Sequence, residues 1–168
     1  MKEFLLKIGS KLSSLPVKRF SRHETNKIDN LVLKYFDLTD LGKLRDKFEG
    51  ESFRINKTKM LLSYISVCKY LNIEPVDYSY INLAEFIPLI NYKGEKYRVV
   101  VSDFGSFPIL EKNEKLPFIF VISRAVLDYK IVGYCTLKDL NNTNNYVIDN
   151  FGRKEYKSID SLKNLSNE

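Results

Sequence analysis

The sequence predicts an α+β protein: a group of N-terminal helices followed by a mixed or antiparallel sheet of about four or five strands. Three observations carry this. Between Lys96 and Thr136 lie three runs of β-branched and aromatic residues, KYRVVVSD, PFIFVISR and DYKIVGYCT, separated by polar, glycine-containing or charged breaks. That is the pattern of neighbouring strands. Ahead of them, residues 21–71 carry apolar side chains at helical spacing between cap and stop signals. One of these segments, 57–71, is apolar over so wide an arc that it must be buried, and it is the helix to pack on the sheet.

Residues 2–19 place Leu5, Ile8, Leu12 and Leu15 at helical spacing among lysines, and Pro16 ends the pattern. This arm, drawn as residues 1–20 ahead of a single domain over 21–168, fits three roles. It reads as a surface helix on the body, as a basic amphipathic helix lying on phosphate or an anionic membrane, or as an organellar transit segment. Ser21-Arg22-His23-Glu24 has the form of a capping box. The helix it opens carries Ile28, Leu31, Val32, Tyr35 and Phe36 on one face. His23 within that cap reads as a surface residue, because the chain has no second histidine to share a metal. A further helix is expected from Thr39, with Gly50 as its stop, and Asn56 as the cap of the next, which Asn72 and Pro75 close.

Residues 76–85 read as a bridging segment. FIPLINY, the turn Lys93-Gly94-Glu95 and KYRVVVSD then read as a hairpin, with Pro88 marking the first strand as an edge or as irregular. PFIFVISR is apolar on both faces, as a covered central strand is. In DYKIVGYCT, alternation places Tyr129, Ile131, Gly133 and Cys135 on one face and Val132 and Tyr134 on the other. Thr136-Leu137-Lys138-Asp139 is a second capping box. The tail, residues 146–165, is expected to give one more short strand or turn and an amphipathic turn bearing Ile159, Leu162 and Leu165.

Composition narrows the function classes. At 168 residues, 44% hydrophobic and 29% charged, the chain is one ordinary domain with a core of its own. No apolar run is long enough to span a bilayer, so no integral membrane protein is expected. The sequence shows no secretory h-region, and Cys68 and Cys135 sit in apolar stretches as reduced core residues. The expected compartment is intracellular, cytoplasmic first and organellar by import as the variant. Of the net charge of +6, five units belong to residues 1–23, where Lys2, Lys7, Lys11, Lys18, Arg19 and Arg22 stand against Glu3 alone. The basic character therefore belongs to the arm, which is the expected nucleic-acid or membrane contact.

No phosphate-binding Gly-rich loop, paired-cysteine zinc spacing, H-E-x-x-H or EF-hand loop occurs. One weaker pattern is present. Tyr97–Asp103, Phe118–Arg124, then Tyr129-Lys130-Ile131-Val132-Gly133-Tyr134 followed by Thr136–Leu140 form three strand-like runs and a short T-x-x-D-L helix. This stretch, 97–140, resembles the late strands of the PD-(D/E)xK nuclease-like superfamily. The resemblance implies a nuclease-like sheet, contact with nucleic acid and, in active members, a Mg²⁺ ion held by carboxylates. Where that superfamily carries its acidic-x-Lys, this chain has Val99-Val100-Val101. Glu85 would then stand for the first acid, and Asp103 would substitute from the strand end. A literal D-x-K occurs at Asp128-Tyr129-Lys130, read as a hairpin turn. Glu85, Asp103, Asp128 and Lys130 are thus the candidate catalytic residues. No cofactor is expected unless the nuclease reading holds, in which case it is Mg²⁺. The expectation is a nucleic-acid-associated protein whose active site has been lost. The alternative is a non-enzymatic adaptor or assembly factor that binds a protein partner, with peripheral membrane contact through residues 2–19.

Overall fold

The computed structural model describes residues 14–37, 47–106, 108–110, 114–156 and 162–166. The fold is α+β, with helices preceding a five-stranded mixed sheet, as the sequence predicts. Helix α1 (Arg22–Tyr35) starts on the expected capping box: Glu24 N donates to Ser21 Oγ at 3.2 Å, and Ser21 N donates to Glu24 Oε2 at 2.8 Å. Helix α2 spans Lys47–Leu71. It runs through both Gly50, expected as a stop, and Asn56, expected as a cap. The expected start at Thr39 lies outside the described residues.

The uninterrupted α2 has a tertiary cause. Its first half is tied to α1, where Asp29 accepts from Arg54 at 2.6 Å and from Thr58 at 3.1 Å. Phe53 also meets Phe36 edge-on at 4.9 Å. Such contacts outweigh the small propensity cost of one glycine. In the second half every residue from Leu61 to Cys68 is buried, and the two serines there satisfy themselves on helix carbonyls, Ser63 on Met60 and Ser66 on Ser63. Asn72 closes the helix at φ 60° and Ile73 N donates back to Cys68 O.

The main sheet has the order β1(Val17–Arg19), β6(Asp128–Cys135), β5(Phe118–Arg124), β3(Glu95–Asp103), β2(Leu89–Tyr92). β3 and β5 run parallel; the other neighbours are antiparallel. Lys93 and Gly94 both take positive φ, which makes the β2–β3 turn the tight hairpin type whose twist suits the strands. A second sheet, β4(Ile109–Leu110), β8(Lys154–Tyr156), β7(Tyr146–Ile148), covers the face that α2 leaves open. Between the layers lie two cores. Val99, Ile119, Val121 and Ile131 face α2, while Phe118, Phe120, Ile122 and Val132 face Leu110 and Leu140 of the short helix α3 (Leu137–Leu140).

Three expectations are corrected here. Val17–Arg19, drawn with the arm, form an edge strand paired with Asp128–Lys130, so a boundary after residue 20 parts β1 from the sheet it belongs to. The cause is Pro16, whose carbonyl accepts from Ile131 N at 3.1 Å, together with the buried Phe20, set edge-on to Tyr129 at 5.6 Å. The rest of the arm, residues 1–13, lies outside the described residues. Second, strict alternation along β6 fails. Gly133 pairs with Phe120 but Ile131 pairs with Val121, so Val132 is the extra residue of a bulge. Beyond it the faces exchange. Tyr134 joins Tyr92 and Tyr97 at 5.3 and 5.6 Å on the α2 side, and Cys135 enters the opposite core. Third, Leu162 and Leu165 are buried but not in a turn: Lys163 and Tyr134 exchange backbone bonds at 2.9 Å each, which lays this segment along β6. Ile159 lies outside the described residues.

Candidate functional site

β3 and β5 end, and β6 begins, at one end of the main sheet. The register sets Asp103 beside Ser123, Ser123 beside Tyr129, and Arg124 beside Asp128. β1 ends there too, with Arg19 beside Asp128. Crevices outside the carboxyl ends of parallel strands are where open sheets bind ligands, and two of the four predicted catalytic residues, Asp103 and Asp128, lie at this end.

Both acids at this end are paired with cations. Lys59, from α2, is 2.5 Å from Asp103; its side chain is 16% exposed against 65% for the aspartate. Arg19 Nε is 3.5 Å from Asp128. Arg124 lies over the ring of Phe104, 6.0 Å from its centroid, and that ring is 50% exposed. The chain is held close here: Phe104 N donates to Ser123 O at 3.1 Å, and Ser123 Oγ donates to Ala125 O at 2.6 Å. Beneath them Tyr129 is fully buried beside Ser123, and burial pushes its phenol up.

The remaining predicted residues lie elsewhere or play other parts. Glu85 is exposed in a turn, its N–H donating to Asn82 O, on the segment between α2 and β2. Lys130 lies within β6, opposite Ile122 and Val17, and only Asp128 adjoins the turn once expected to hold the whole D-x-K. Lys18 is half-buried in β1, Arg19 is 80% exposed at its side chain, and Arg22 is exposed at the start of α1. Lys2, Lys7 and Lys11 lie outside the described residues. Among the described residues no three acidic, histidine or cysteine side chains converge as metal ligands. Val99 and Val101 occupy the α2-facing core, and Asp103 holds a lysine. This donor set does not fit the Mg²⁺ ion that the resemblance implies.

The residue that sequence reading missed is Lys59. It stands 44 positions from Asp103, in a helix read as core, and no local motif announces it. Lys57, two positions before it, and Lys69 carry the same charge in the same helix, so residue type does not single it out. No helix among the described residues is long and apolar enough to cross a membrane. No family model, no curated protein and no solved structure matches this chain.

Proposed function

We propose that the chain is a nucleic-acid-associated protein that binds through the Asp103–Asp128 end of its sheet and does not cut what it binds. The observation that carries this is the exposed Phe104 ring with the Arg124 guanidinium over it, and the largely exposed Arg19 at the same end of the sheet. An exposed aromatic face beside cations is the working unit of single-strand binding: bases stack on the ring and the cations track phosphates. Both acids at this end are already answered by Lys59 and Arg19, which removes repulsion of phosphate and leaves no carboxylate pair for a metal-activated water. The resemblance of 97–140 to the nuclease-like superfamily supports the same reading.

The test is fluorescence anisotropy with a labelled oligo-deoxythymidine and a labelled duplex across a salt series. Binding to the single strand should fall steeply with salt. Phe104→Ala or Arg124→Ala should weaken it by about tenfold each, the worth of one stacked base. Unaltered affinity in both variants overturns the assigned surface. Divalent-ion-dependent cleavage by the purified chain overturns the non-catalytic reading. A second reading, a protein-interaction adaptor, has the exposed Val147, Ile148 and Phe151 at the second sheet in its favour. Partners that survive nuclease treatment in a pull-down would support it over the first.

A further inference from the structure

We propose that the open edge of β3, from Val99 to Asp103, receives an extended, uncharged peptide segment of a protein partner as an additional strand. β2 covers β3 only as far as Leu89, which pairs with Arg98, and the last bond runs from Val99 N to Pro88 O at 2.8 Å. Upstream of Pro88 the chain leaves the edge, because Phe86 packs on Tyr64 and Tyr78 at 5.5 and 5.6 Å. β3 nevertheless continues to Asp103, held on its other side by β5.

The direction of the main-chain groups follows from the bonds. In a strand the N–H and C=O of one residue point the same way, and successive residues alternate. Arg98 N donates to Pro117 O on the β5 side, and Val99 N donates to Pro88 O on the β2 side. Val101 therefore turns its N–H and C=O to the side that β2 has vacated. Among the described residues these groups have no partner, and the side chain is only half-buried. Unpaired strand groups at an edge are a template for another strand.

The surroundings suit one occupant. Two hollows of about 190 and 210 Å³ meet at Val101. Met60, Pro88 and Ile109 wall the first; Asn56, Lys59 and Asp103 close the second. The charges along the groove are paired with each other, Lys59 with Asp103 and Arg98 with Glu114, each at 2.5 Å. A phosphate or a charged side chain would find its counter-ion taken, whereas an uncharged strand finds main-chain partners and apolar walls. This inference does not rest on the nucleic-acid reading, which uses the Phe104–Arg124 platform, and either can fail alone.

The probe is a capped peptide of alternating threonine and valine, with a second version N-methylated at every amide so that neither edge can bond as a strand. Amide exchange of the full chain is followed by NMR. The Val101 amide of the free chain should exchange freely while that of Val100, which faces β5, is protected. The unmethylated peptide should slow Val101 exchange by at least about tenfold, and Ile109→Lys, at a half-exposed position, should abolish that effect. The proposal is overturned if Val101 is already protected in the free chain. It is overturned equally if millimolar peptide leaves Val101 unchanged, if the methylated peptide protects as well, or if Ile109→Lys makes no difference.

Discussion

Gly133→Ala probes how the C-terminal segment is held to the sheet. Gly133 has φ 155°, and a Cβ built there would lie 2.5 Å from Lys163 O and 3.1 Å from Leu162 Cβ. The first contact is with backbone, so side-chain rotation cannot relieve it. The segment must move away from β6. Movement breaks the two Tyr134–Lys163 backbone bonds and the 2.9 Å bond from Tyr70 Oη to Leu165 O. It also loosens Leu162 and Leu165, each 7% exposed. Three hydrogen bonds at about 1 kcal/mol net and partial exposure of two leucines at about 1 kcal/mol each give an upper value near 5 kcal/mol. Partial relaxation brings the expected loss to about 2–4 kcal/mol, or a fall in Tm of roughly 5–15 °C for a chain of this size. Urea unfolding with amide exchange at Tyr134 and Lys163 is the assay. A loss below about 0.5 kcal/mol, with the Tyr134 amide still protected, would refute the close-approach argument.

Three further outcomes are expected. Asp29→Ala leaves the Arg54 guanidinium and the buried Thr58 hydroxyl without their shared acceptor, and should cost about 2–3 kcal/mol in chemical denaturation. Lys69, and then the Ser21 cap, hold the Glu24 carboxyl down at about 2, against 4.5 for the free group. Its stabilisation is therefore fully present above pH 4.5 and lost as pH falls towards 2. Because the side chain is 43% exposed, the effect is screened to about 1 kcal/mol, and Glu24→Gln should flatten the stability profile across that window. Cys68 and Cys135 are fully buried thiols outside any disulfide, and burial pushes the Cys68 thiol up; neither should react with an aromatic disulfide reagent until the chain is unfolded.

What the sequence determined by itself is what neighbouring residues decide. The boxes at Ser21 and Thr136 form because donor and acceptor are three positions apart. The Lys93-Gly94 turn and the buried run of β5 follow from residue type in place. Charge bias was legible too, though not where it would act: Arg19 reads as part of a basic arm and proves to be a strand residue beside Asp128.

The tertiary structure alone decided the rest. Helix α2 ignores its internal stop and cap because Asp29 of helix α1 and Phe36 at the C-cap of that helix hold it. The bulge at Val132 reverses the faces of Tyr134 and Cys135, and an extra residue is invisible to alternation until the partner strand is known. Lys59 reaches Asp103, and β2 stops short of Val101, through pairings between residues far apart in the chain. Local chemistry chooses the elements. Which side chains and which open edges meet is a property of their packing, and the candidate site consists of those meetings.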